Sequence, residues 1–290
     1  MRRLRTPLIA LVFVFFVPVW VKAGVWYMSE RPASWREANW SSAGLLPAAA
    51  EEPEASIRVM YARTGGLKGV VAVHSWIVLK EEGAPRYERY DVMGWGDPVR
   101  RDHRAADGYW YSHSPEVAVE LKGEAAQRLI PRVRAAIAEY RWSARGSYRV
   151  WPGPNSNTFV ATILHEVPEL GGRLPPTAIG RDYLGDGFVS TRLPTGGWMA
   201  TYRGILGIAA GPREGLEITV LGLVAGVRFQ DPALIIPGFG VLGGSEAIGV
   251  GAEPEERAAD AAGSGGEGWL FDRSRMTTLE GEPTAAAGRI

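Results

Sequence analysis

The sequence predicts an α+β fold: a mostly antiparallel sheet with two main helices, behind an N-terminal membrane segment. Three observations carry this expectation. Short apolar, β-branched runs alternate with breaks rich in Gly, Pro and charge, and VVAVHSWIVLK at 70–80 is the clearest of them. Two longer segments, 123–140 and 156–167, space their apolar residues three and four apart, which is the helical period. Arginines at the start precede one long apolar run. The totals agree. A chain of 290 residues can bury a substantial core, and 37 glycines with 11 tryptophans favour a turn-rich, strand-rich body with large aromatic anchors. Zero net charge, from 32 basic and 32 acidic residues, argues against a nucleic-acid binder. The absence of cysteine removes disulfides, thiolate metal sites and a cysteine nucleophile. No cofactor is expected.

The membrane segment comprises residues 1–28. Arg2, Arg3 and Arg5 precede an apolar run at 8–21 broken only by Pro18, and residues 7–28 contain a single charge, Lys22. This suits a secretory signal with Val21 and Ala23 before a cleavage site. It equally suits an uncleaved anchor of about 20 residues, with Trp20, Trp26 and Tyr27 at the outer interface. Both readings place the rest of the chain outside the cytoplasm. Residues 29–55, with Trp35, Trp40 and an Ala/Glu/Pro run, read as a linker lying over the domain surface.

Residues 56–244 read as a single domain. Strands are expected at 57–63 and 70–80, the latter apolar on both faces and therefore central. His74 lies in its middle, where an imidazole needs partners: it is either a core histidine, or a general base or metal ligand. A turn at 81–85 leads to a second strand at 86–95. That hairpin offers Asp91, Glu88 or Tyr90 as a neighbour for His74, with the register open by one residue. Asp91 is preferred because a carboxylate fixes the tautomer of a histidine. Residues 96–114 read as a charged loop, and the spacing of His103 and His113 within it supports no metal site. A short strand at 117–121, a helix striped by Leu129, Ile130, Val133, Ile137 and Tyr140 despite Pro131, and a strand at 147–151 lead to WPGPNSNTF at 151–159. That stretch is a rigid turn presenting Asn155, Ser156 and Asn157 to the start of the second helix, off whose apolar face His165 should be exposed. Arg181 and Asp182 read as surface in preference to the rim of a site. ILGIAAG at 205–211 and VLGLVAG at 220–226 repeat at an offset of fifteen around a turn at 212–215, as two paired antiparallel strands apolar on both faces. Such a pair is buried, or rests against lipid or a partner. Residues 245–290 read as a disordered tail with a docking motif at Trp269, Leu270 and Phe271.

The pieces VHSWIVLK, RYDVMGWG, DGYW, YRVWPGPNSNTF and EVPELGGRLPPTAIGRDY, with the glycine-rich region 205–240, resemble the bacterial family catalogued as domain of unknown function 3750. A bacterial source implies the inner membrane facing the periplasm, or the periplasm itself if the leader is cleaved. More distantly, a strand histidine followed by an Asn-rich turn opening a helix resembles the permuted papain-like fold of NlpC-type peptidases and lecithin–retinol acyltransferase-like enzymes. That resemblance implies an envelope hydrolase or acyltransferase acting on an amide or ester. Ser156 would be the nucleophile, His74 the base and Asp91 its orienter, with Asn155 and Asn157 as polar stabilisers.

In those enzymes a cysteine stands where this chain has Ser156. A helix N-terminus contributes only about 0.3–1 kcal/mol, which activates a thiol but cannot ionise a hydroxyl. Ser156 therefore needs His74 within about 3 Å. Without that contact two alternatives stand: a membrane-anchored binding or scaffold protein with a degenerate site, or a plain helix cap.

Overall fold

The structure is a computed structural model that describes residues 2–244; the expected tail and its Trp-Leu-Phe motif lie outside the described residues. The chain begins with helix α1 (Arg2–Met28), of which Ile9–Met28 is long and apolar enough to cross a membrane. The fold beyond it is α+β, built on two antiparallel sheets.

The first sheet contains β1 (Ser56–Arg63), β2 (Val73–Lys80), β3 (Glu88–Val92), β4 (Val99–Arg101) and β5 (Glu116–Lys122), in the order β4-β3-β2-β1-β5. Strand β2 is buried along its whole length, as its two apolar faces require. Pairing of Ile77 with Tyr90 and Val78 with Arg89 fixes the hairpin register. It puts Arg89 and Asp91 on the face that carries Trp76 and Val78.

Helices α2 (Gly123–Ala138) and α3 (Ser156–Glu166) cover the other face. There Ile57, Val59, Ile77 and Leu79 meet Ile130, Val133, Phe159 and Ile163 in the main core. The buried residues of α2, Ala126, Ile130, Val133 and Ile137, form one stripe, and Pro131 sits on its exposed side. On the Trp76 face a smaller core of Met60, Ala62, Trp76, Val78, Met93 and Trp110 lies under the 29–55 segment and the loop before β5. The 29–55 segment is tied down there. The Asp107 carboxylate accepts from Ser42 Oγ (2.7 Å) and from the backbone N–H of Leu45 (2.8 Å), and the Trp40 ring meets Trp110 edge-on.

The second sheet is a seven-stranded meander: β6 (Phe188–Arg192), β7 (Trp198–Tyr202), β8 (Leu206–Gly211), β9 (Gly215–Val220), β10 (Leu223–Arg228), β11 (Ala233–Ile236) and β12 (Gly240–Gly243). Helix α1 packs against β10 and β11 of this sheet. Two expectations are corrected. The ILGIAAG and VLGLVAG copies do not pair with each other; they fall mainly in β8 and β10, and β9 lies between them, paired to both. Residues 147–151 form no ladder: the Arg149 N–H donates to the Pro154 carbonyl, and the Val150 carbonyl accepts from Asn155 Nδ2.

Candidate functional site

The WPGPNSNTF stretch builds the start of α3. Asn155 is the N-cap: its Oδ1 accepts from the N–H groups of Asn157 (2.9 Å) and Thr158 (3.1 Å), while its Nδ2 donates to the carbonyls of Val150 (3.1 Å) and Ile179 (3.0 Å). A side chain at Gly180 would collide with this amide, and the φ of +97° at Gly180 is one that glycine adopts without strain. Asn157 donates from Nδ2 to Val73 O and Ile179 O, both at 2.9 Å, and its Oδ1 accepts from Ser75 Oγ at 2.9 Å. Both amides are buried, and each of their donor and acceptor atoms already has a partner. Neither leaves a donor for an oxyanion.

Side chains alternate across a strand, and Ser75 is the β2 residue that turns toward Asn157 and the start of α3. His74, its neighbour, projects from the opposite face. There its ring stacks on Trp110 with centroids 3.7 Å apart and planes within 3°. Ser156 is the first residue of α3, buried on the helix-covered side, and no hydrogen bond joins its hydroxyl to an imidazole. The structure thus brings His74 and Asp91 together and sets Ser156 on the far side of the sheet.

Asp91 is the centre of the cluster on the Trp face. Its carboxylate is fully buried and accepts at Oδ2 from Arg89 Nη2 (2.9 Å) and Nε (3.1 Å). His74 Nε2 stands 3.6 Å from Oδ2, too long for a hydrogen bond, so that coupling is electrostatic. On the other side His103 Nδ1 lies 3.2 Å from Oδ1. Burial raises the Asp91 carboxyl, but His74 and the Arg89 charge outweigh it and hold it below its ordinary value. Burial keeps His74 below its ordinary value against the pull of Asp91, and does the same to His103. The result is a buried carboxylate–guanidinium pair between two histidines held toward their neutral forms. The imidazole with access to solvent is His103, 26% exposed, on the loop whose sequence predicts only charged, solvated side chains. Arg89 was also missed. Its one signal is the Arg-x-Asp spacing in β3, which puts both side chains on one face. Among the described residues no group of three or more His, Asp or Glu side chains is arranged to hold a metal ion.

A second buried ionic group joins the segment after α3 to β9 of the second sheet. Arg173 bonds Glu217 (2.7 Å) and Asp182 (2.9 Å), and Arg181 bonds Glu217 (2.6 Å) and the Leu174 carbonyl (2.6 Å). Arg181 and Asp182, expected at the surface, are buried because β9 covers them. His165, expected to be exposed, is half-buried, and burial with the nearby Arg173 charge lowers its pKa to about 4.

The other face of the second sheet is apolar and open. In β9 the usual pattern is inverted: Glu217 is 2% exposed while Ile218 is 45% exposed. In register with Leu216 and Ile218 stand Ala210 and Ile208 on β8, then Trp198 and Ala200 on β7. Leu206 and Tyr202 extend the patch, and Leu234 and Leu242 lie exposed on β11 and β12.

No curated protein and no solved structure matches the chain. The family match that does exist ends before β6, so the second sheet lies outside it. It covers residues 54–183, from the approach to β1 through α3 to Tyr183, and over that span the chain matches the family described as "Protein of unknown function (DUF3750)".

Proposed function

We propose that the chain is a membrane-anchored scaffold or binding protein of the bacterial cell envelope. It acts without covalent catalysis, with the 54–183 domain held on the periplasmic side and the second sheet resting on the bilayer. The observation that carries this reading is the inverted burial of β9, which sets Leu216 and Ile218 outward and Glu217 and Thr219 inward. Water selects the opposite arrangement, and a lipid surface selects this one. Helix α1, apolar enough to span, packs on two strands of the same sheet. Arg2, Arg3 and Arg5 before it favour a cytoplasmic N-terminus. What weighs against acyl transfer is the placement of Ser156 and His74 on two faces of β2, since a general base must stand within about 3 Å of its hydroxyl.

The chain has no cysteine, so single-site labels are free of background. With an environment-sensitive fluorophore on Ile218→Cys or Ile208→Cys in nanodiscs, nitroxide-bearing lipids should quench the signal strongly. On Glu124→Cys, at the exposed start of α2, they should not. Equal quenching by aqueous iodide at all three positions would sink the proposal. A serine-reactive fluorophosphonate should leave the wild type unlabelled; labelling that disappears in Ser156→Ala would restore the hydrolase reading.

A further inference from the structure

A cavity of about 690 Å³ opens beneath the C-terminal end of α1. Its walls come from the last turns of α1, the segment that follows, the Gly65–Gly66 turn and the loop carrying Tyr111 and His113. We propose that this cavity binds the phosphodiester headgroup of an anionic phospholipid. The inference rests on the reading of α1 as a membrane anchor, because that reading puts the cavity at headgroup depth, just beyond the apolar stretch Ile9–Met28.

Three features of the cavity fit this ligand. The first is charge: Arg31 and Lys68 line it against one acid, Glu30. Arg31 donates through Nη1 to the Trp26 carbonyl, and its guanidinium lies over the Trp26 and Tyr27 rings at 5.8 and 5.7 Å. The cation is therefore positioned, and its remaining N–H groups match the paired oxygens of a phosphate. The second is a buried donor without a partner. Trp26 lines the cavity, is only 6% exposed, and its Nε1–H makes no hydrogen bond. A buried indole N–H ordinarily has an acceptor, and a phosphate oxygen would supply one. The third is shape. The Tyr111 ring lies directly on the Gly65 backbone, where no side chain would fit, so this wall of the cavity is a flat aromatic face. Trp35, Tyr111 and His113 supply the amphipathic lining that suits the level where headgroup meets acyl chain.

The test uses the full chain in nanodiscs of mixed phosphatidylglycerol and phosphatidylcholine, with retained lipid read by native mass spectrometry. Phosphatidylglycerol should be retained over phosphatidylcholine by about tenfold. The double variant Arg31→Gln/Lys68→Gln should lose most of that preference, and both side chains are exposed, so its folding is not at risk. Trp26→Phe keeps a ring against His113 but removes the N–H, and should lose part of it. No preference in the wild type, or one unchanged in the double variant, would overturn the site. Displacement of the lipid by soluble glycerophosphoglycerol at equal concentration would overturn the lipid assignment. Alkaline carbonate extraction of the same samples separates the two readings. Release of the wild type from membranes defeats the anchor, whereas retention without lipid preference defeats only the site.

Discussion

Asn155 and Ser156 adjoin in sequence, and the structure gives them unequal roles. The Asn155 side chain makes two cap bonds and two cross-links to the neighbouring loops, all in a buried setting. Asn155→Ala removes a cap worth about 1–2 kcal/mol and leaves two buried carbonyls short of a donor, so a loss of roughly 3 kcal/mol is expected. Ser156→Ala removes a hydroxyl that bonds to no base, and should cost under about 1 kcal/mol. Urea midpoints for the two variants check this, and a larger loss at Ser156 than at Asn155 would refute it. The sequence pointed to this turn because prolines, a glycine and capping residues mark a helix start wherever they occur. It could not say whether the polar atoms were free, since their partners, Val73, Ser75 and Ile179, come from other parts of the chain. Asp91 was legible as the neighbour of His74 because a short hairpin leaves only two registers. His103 was not, because a loop carries no period from which its direction could be read.

At the scale of elements, β9 decides how the molecule is organised. One face of it supplies Glu217 to Arg173 and Arg181, and the other supplies Leu216 and Ile218 to the exposed patch. A period-2 reading of GLEITV turns the leucine and isoleucine inward, as water would require. The structure does the reverse, because the inner position is taken by two arginines that need a carboxylate. Arg181, Asp182 and His165 looked exposed for the same reason: their own stretch of sequence does not reveal that a later sheet covers them. This junction should be sensitive to acid. The folded His165 titrates at about 4 against an ordinary 6.5, so the unfolded chain takes up a proton first. The stabilisation is full above about pH 6.5 and is lost as pH falls toward 4, amounting to roughly 3 kcal/mol. Unfolding midpoints at pH 7.5, 5.5 and 4.5 should therefore fall more steeply for the wild type than for His165→Gln. Parallel profiles would show that His165 does not drive the loss.

For the whole molecule, the two sheets present unlike surfaces to their surroundings. The first is covered on one face by helices and on the other by the 29–55 segment, and the second is covered on its inner face alone. Seven strands about 4.8 Å apart, each about five residues long, give the open face a footprint of roughly 500 Å². That is at the upper end of what a soluble monomer leaves exposed. Covering it fully removes apolar surface worth on the order of 10 kcal/mol, comparable to a lipid chain and additional to the single helix α1. In detergent solution the chain should then carry more bound detergent than one spanning helix explains. The triple variant Leu206→Thr/Ile208→Thr/Ile218→Thr keeps β-forming residues at every position while making the centre of the face polar. Its bound detergent, measured by light scattering coupled to size exclusion, should fall by about a third with far-ultraviolet circular dichroism unchanged. If the variant instead binds as much detergent as the wild type, α1 alone accounts for the membrane contact and the sheet face must be covered by something other than lipid.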